Sequence, residues 1–180
     1  HDRVAQRIRA VERLESLGGK VLPLAADVCN VDEMAEAIDA AREAFGDING
    51  VIHAAGVIDD GPLLAKTSAG IDDVLAPKLH GTQVLEQLFP DGSLDWLLLF
   101  ASSSTATAPA GQIDYVAANA YLNAYAQSRQ TDKTRVRAIN WGLWAEVGMA
   151  AEAVAARQGH VVDVPTEAID KPLLQGAGFD

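Results

Sequence analysis

The chain has 180 residues, 49% hydrophobic and 22% charged, enough length and apolar content for one globular domain with a sizeable core. Its formal net charge of -11 argues against nucleic acid or an anionic membrane as a partner, because both are held by basic patches. Cys29 is the only cysteine, which excludes a disulfide framework and metal-ligand spacing and fits a reducing, cytoplasmic compartment.

No apolar run is long enough to span a bilayer, and no signal-peptide pattern opens the chain. His1-Asp2-Arg3 stands where an initiating Met would, so a piece of something larger is expected. Val4, Ile8, Val11 and Leu14 recur at helical spacing, and Gly18-Gly19 stops that helix. Val21–Ala26 reads as a short strand closed by Asp27. Asn30 is the expected N-cap of a helix through Phe45, with Glu33 in its acidic first turn. Ile48–Ala55 is the next strand, ended by Gly56. After the loop Asp59-Asp60-Gly61-Pro62, helical pattern continues to Phe89, with Pro77 marking a kink or a restart. Leu94–Ala101 is a nearly continuous apolar strand, suited to burial on both faces. A loop rich in Ser, Thr, Ala and Gly leads to a helix over Gln112–Arg129, and Val136–Asn140 is a strand. A small-residue helix is expected over Met149–Arg157, followed by a loop-like segment from Gly159.

Strands alternating with helices imply βαβ units and a parallel α/β sheet. In such sheets ligands bind beyond the carboxyl ends of the strands. Those ends read Asp27-Val28, Ala54-Ala55-Gly56, Ser102-Ser103-Ser104 and Asn140-Trp141-Gly142, small or polar in each case, as a nucleotide crevice requires. Lys78 falls on the inward stripe of its helix, at i+4 from Val74 and i+3 from Leu75. It is either a lysine whose amine escapes to solvent or one whose buried charge is used. Tyr115 and Asn119 share one helical face. From position alone, Tyr115 is either a packing tyrosine or a reactive one.

The run Tyr115-Val-Ala-Ala-Asn119-Ala-Tyr-Leu, 13 residues after Ser102 and 37 after Lys78, resembles the ketoreductase domains of modular type I polyketide synthases, within the short-chain dehydrogenase/reductase superfamily. Ordinary members of that superfamily carry Tyr-x-x-x-Lys on one helix. The polyketide ketoreductases place Asn there and take the lysine from the preceding helix, as here. His53-Ala54-Ala55-Gly56, Ala76-Pro77-Lys78, Gly111-Gln112, Asn140-Trp141-Gly142-Leu143-Trp144 and Gly148-Met149 complete the resemblance, which covers about Val21 to Met149. Each motif alone is common; their order and spacing together are specific.

The resemblance implies a Rossmann-like doubly wound parallel sheet with helices on both faces, lacking its first βαβ elements. It implies NADPH-dependent reduction of a β-ketoacyl thioester carried on an acyl carrier protein, next to other domains of the same synthase. Tyr115 would be the general acid, and Lys78 would supply positive charge and contact the nicotinamide ribose. Ser102 would hydrogen-bond the ketone, a role Ser103 or Ser104 could also take. Asn119 would hold Lys78 or a relay water. Asp27 and Val28 would meet the adenine, Ala55 and Gly56 the ribose, and Gly142 the nicotinamide. Ile58-Asp59-Asp60 is similar to the Leu-Asp-Asp signature of B-type enzymes, which give the D-hydroxy product, and Thr107 stands where A-type enzymes carry Trp. Against that, Asp59-Asp60-Gly61-Pro62 also has the composition of a plain turn.

The family's glycine-rich pyrophosphate turn is not found before the helix at Val4, and basic residues selective for a 2′-phosphate are missing unless Arg3 or Arg7 serves. Residues 1–158 are therefore expected to form a partial catalytic domain, and 159–180 a lid or linker towards a following domain. A free-standing dehydrogenase of small ketones and a non-catalytic fragment of a synthase remain as alternatives; Asn119 in place of the usual lysine speaks against the first.

Overall fold

The structure is a computed structural model, and it describes residues 3–142. The helix expected at Met149–Arg157, the motif residues from Leu143 to Met149 and the segment 159–180 lie outside the described residues.

Helix α1 spans Arg3–Ser16, and Gly18 (φ 90°) closes it with a bond from its N–H to Glu15 O. Helix α2 spans Val31–Phe45. Its cap is reciprocal: the Asn30 side chain accepts from the N–H groups of Asp32 and Glu33, while its Nδ2 donates to Glu33 Oε1 at 2.7 Å. The first strand, β1, is Gly50–His53. A short 3-10 turn over Leu63–Ala65 leads to α3, Ser68–Leu88, capped by Thr67. Pro77 lies inside α3, which runs through it as one helix. Strand β2 is Trp96–Ser102, a one-turn helix α4 covers Ser104–Thr107, α5 is Ile113–Ser128 and β3 is Arg135–Trp141.

The strand expected at Val21–Ala26 is not formed. Pro23 has no N–H to give to a ladder, and Leu22 and Leu24 remain 38% and 48% exposed instead of filling a core. A strand is a property of pairing, and among the described residues this stretch has no strand beside it.

The three strands form one parallel sheet in the order β1-β2-β3. His53 pairs with Leu99, and Ser102 with Trp141, so all three strands end along the same edge. On β2 the alternate residues Leu97, Leu99 and Ala101 are buried, whereas Leu98 and Phe100 are half-buried. The buried face packs under α2, α3 and α5 through Ile38, Leu85, Phe89, Leu122, Tyr125 and Ala126. Each large apolar side chain sealed in this layer, such as Leu99 or Leu122, contributes about 1.5–3 kcal/mol. The opposite face carries Ile52 and Trp96, which stay 55% and 42% exposed among the described residues. No helix among the described residues is long and apolar enough to cross a membrane.

Candidate active site

The strand ends and the helices that follow them carry the side chains expected to react. Lys78 is 3% exposed, on the face of α3 that also buries Val74 and Leu85. Its amine does not reach out to solvent: pairing of β1 with β2 stops at His53 and Leu99, and the next carbonyl of β2, Phe100 O, accepts from Lys78 Nζ at 2.8 Å. Burial pulls the Lys78 pKa down from 10.5 to about 8. The value still lies above neutral pH, so the amine keeps its charge there.

His53 closes β1 beneath this lysine. Its Nε2 lies 3.1 Å from Pro77 O, so the neutral ring in its Nε2–H form donates to a carbonyl of α3. Burial, reinforced by the Lys78 charge, lowers the His53 pKa from 6.5 to about 4. The ring is neutral at physiological pH and adds no second charge beside Lys78.

Tyr115 is half-buried on α5, and Asn119, one turn on, is fully buried. Asn119 Nδ2 donates to Tyr115 O at 2.7 Å, and its Oδ1 is buried with no hydrogen-bond partner. The side chain is thus anchored at one end and presents a bare acceptor at the other. It does not bond Lys78 directly; the lysine is held by the strand instead. Ser102, the last residue of β2, is half-buried, and its Oγ accepts from Ser104 N at 3.1 Å. That leaves the Ser102 hydroxyl proton free to donate elsewhere. Ser104 Oγ is buried without a hydrogen-bond partner.

The residues expected near the cofactor fall on loops at the same edge. Asp27 is exposed and sits in a tight turn, its Oδ1 accepting from Cys29 N at 2.9 Å and its N–H donating to Glu33 Oε2 at 2.8 Å. Val28 lies against α3 at Gly81, where an added Cβ would come within 3.0 Å of both Val28 methyls and 3.4 Å of the His53 ring. The glycine is required for that close approach. Ala55 and Gly56 follow β1, and Gly142 follows β3 beside Trp141, whose ring meets Phe100 at 5.3 Å between centroids. For a nicotinamide dinucleotide, the nicotinamide end fits the groups present: a buried amine held at Phe100 O near the end of β2, and a buried acceptor without a partner, Asn119 Oδ1, on the helix that carries Tyr115. A cavity of about 520 Å³ opens between α5 and β3, lined among others by Asn123, Gln127, Arg137 and Asn140, and none of the expected site residues lines it.

Two residues escaped the sequence reading. Lys66 and Asp114 have side chains only 3% and 1% exposed, and Lys66 Nζ lies 2.7 Å from Asp114 Oδ2. They are 48 positions apart, with no local pattern linking them. The acidic loop is held as well: Gln112 Nε2 donates to Asp60 Oδ2 at 3.0 Å, and Lys66 bonds Asp59 O. Asp59 and Asp60 therefore face the start of the tyrosine helix rather than forming an isolated turn.

Comparison with known proteins fits this geometry. The family model described as "KR domain" matches residues 2–146. The 6-methylsalicylic acid synthase of Aspergillus terreus is 37% identical over 151 residues, 82% of this chain and 8% of that protein. A phenolphthiocerol/phthiocerol polyketide synthase of Mycobacterium tuberculosis is 37% identical over 169 residues, 91% of this chain and 9% of its own length. The chain thus spans less than a tenth of these two relatives. Among solved structures, A-type ketoreductases from a modular polyketide synthase superpose with a TM-score of 0.75 at 33% identity, covering 87% of this chain and 33% of that one. A ketoreductase domain from the bacillaene assembly line gives 0.73 at 30% identity, covering 91% and 42%. The parallel sheet and helices described above are those of this Rossmann-like, doubly wound fold. With a family model over most of its length and polyketide synthases as its relatives, the chain belongs to the KR domain family, the ketoreductases of polyketide synthases.

Proposed function

We propose that this chain reduces a β-ketoacyl thioester, presented by an acyl carrier protein, to the β-hydroxyacyl thioester during polyketide chain elongation. The observation that carries the reading is Lys78: a buried amine kept charged at neutral pH, bonded to Phe100 O two residues before Ser102, on a helix packed against the one that bears Tyr115 and Asn119.

Bound NADPH supplies the hydride. Reduction leaves negative charge on the former ketone oxygen, which must be neutralised. Tyr115 donates the proton, and the Lys78 charge favours the tyrosinate left behind. Ser102 donates a hydrogen bond from its free hydroxyl to the same oxygen as charge develops there. The Asn119 Oδ1 acceptor takes a hydrogen bond from the lysine amine or from a relay water and so holds it in place. When the cofactor is bound, Asp27 and Val28 would hold its adenine, Ala55 and Gly56 its ribose by their backbone, and Gly142 its nicotinamide, with Lys78 and Tyr115 also in contact.

The handedness assigned is B-type, giving the D-hydroxy product. It is supported by Ile58-Asp59-Asp60 held against the tyrosine helix and by Thr107 in place of tryptophan. The likeness to solved A-type domains is one of fold and carries no handedness. Residues 1–158 act as the ketoreductase unit and 159–180 as a lid or linker, within a cytoplasmic synthase whose other domains supply and take up the acyl chain.

The test is NADPH oxidation by the full-length protein with a β-ketoacyl thioester, followed by chiral analysis. Tyr115→Phe is expected to abolish turnover while leaving the thermal midpoint unchanged. Wild-type rates in that variant would sink the assignment, and an L-hydroxy product from the wild type would refute the B-type part alone.

A further inference from the structure

The start of the tyrosine helix is tied to the acidic loop by groups that the reduction does not itself use. Lys66, just after the 3-10 turn, bonds Asp59 O and lies 3.6 Å from Asp59 Oδ2. Its amine also pairs with Asp114 Oδ2 at 2.7 Å. The other Asp114 oxygen, Oδ1, accepts from the backbone N–H of Tyr115 at 2.9 Å. Alongside, Gln112 Nε2 donates to Asp60 Oδ2 at 3.0 Å, and Gly61 N donates to Gly111 O at 3.0 Å. Gly111 has φ 83°, and a Cβ there would come within 3.4 Å of Gly61 N and O, so the two backbones meet where a side chain would intrude. The segment 59–66 is thus zipped along 111–115, ending at the residue that carries the reactive hydroxyl.

A buried ion pair holds only while both partners remain, since removing one leaves the other charged and dry. Paired to Asp114, the Lys66 amine is held in its charged form, its pKa raised above the ordinary value by the hydrogen bond to that carboxylate. We infer that Lys66 and Asp114 are positioning residues whose buried pair locks the Asp59–Asp60 loop onto the Tyr115 helix and so fixes which face of the ketone meets the reductant. The inference rests on the stereochemical reading given above. Neither residue touches the reacting atoms. They act by setting where the loop and Tyr115 stand relative to one another, and a misplacement of about 1 Å at a reacting centre is enough to change rates by roughly a hundredfold.

The experiment compares full-length wild type with Lys66→Met, Lys66→Arg and Gln112→Leu, using NADPH and a short-chain β-ketoacyl thioester. It reads the ratio of the two β-hydroxy products, KM against kcat, and amide hydrogen exchange over residues 57–62. Lys66→Met is expected to raise the share of the minor product by about tenfold, to raise KM by more than it lowers kcat, and to speed exchange of the loop by about tenfold. Lys66→Arg, which keeps the pair, is expected to restore all three towards wild type. A folded Lys66→Met with the wild-type ratio and wild-type loop exchange overturns the inference. Should Lys66→Met fail to fold, Gln112→Leu removes only the Asp60 contact and decides instead: an unchanged product ratio overturns the inference, a shifted one supports it. If the wild type turns nothing over, the reductase reading has failed, and loop exchange alone then decides the lock: retained protection in Lys66→Met overturns it, lost protection supports it.

Discussion

Lys78 makes a prediction in which stability and activity part company. Its folded pKa lies near 8, against 10.5 in its ordinary state, because burial disfavours the charged form. The unfolded chain therefore binds more protons than the folded one between these two values, and stability must rise with pH across that window. Below about pH 8 the full penalty of roughly 3 kcal/mol is present, and near pH 9.5 roughly 1 kcal/mol of it remains. Lys78→Met keeps the apolar stem and removes the titration. Loss of the donor to Phe100 O costs about 1–3 kcal/mol and depends little on pH, since a neutral amine could make the same bond. The stability of wild type relative to Lys78→Met should thus increase by about 2 kcal/mol between about pH 7 and about pH 9.5. Urea denaturation of the intact ketoreductase domain at the two pH values measures this difference. Turnover of Lys78→Met should be lost at both, and wild-type turnover should fall as the lysine discharges above pH 8. Parallel stability curves for the two proteins would refute the placement of a charged amine in the dry interior.

Two further outcomes test the same neighbourhood. Asn119→Leu removes one hydrogen bond, to Tyr115 O, but also the buried Oδ1 that has no partner; since an unsatisfied buried acceptor costs about 1–3 kcal/mol, thermal unfolding should show the variant as stable as wild type or more so, while turnover falls by about a hundredfold. His53 has its folded pKa depressed to about 4 from 6.5, so its contribution is complete above about pH 6.5 and is lost as pH falls through 4; acid unfolding followed by circular dichroism should show His53→Gln, which keeps a donor for Pro77 O but does not titrate, losing about 3 kcal/mol less than wild type.

Much of the fold was legible because its signals are local. The Asn30–Glu33 cap and the helical spacing of Val74 and Lys78 each state a structure within a few residues and are found where the pattern puts them, whereas β2, whose apolar run suited burial on both faces, buries only the face of Leu97, Leu99 and Ala101. Val21–Ala26 was not legible in the same way. It has the apolar composition of a strand, but a strand exists only by pairing, and composition names no partner. The one-turn helix α4 over Ser104–Thr107 was hidden in a loop-like run of small residues.

The candidate site divides along a sharper line. Lys78 stood out in the sequence because it breaks a rule, a charge on an apolar stripe, and the structure brings its amine to Phe100 O, while the helix packed against its own carries a second rule-breaker, the unpaired Asn119 Oδ1. A helix pair built only for stability would place Leu or Met at both positions. Groups that work against stability on two packed helices are where a functional pull is expected. Lys66 and Asp114 satisfy each other only as a pair: Asp114 shares the buried face of α5 with Ala118 and Leu122, but nothing in the sequence names Lys66 as its partner. They could be seen only once the fold had brought position 66 beside position 114. Sequence patterns therefore expose residues that carry a local penalty, while residues that hold them in register stay silent until the chain is folded.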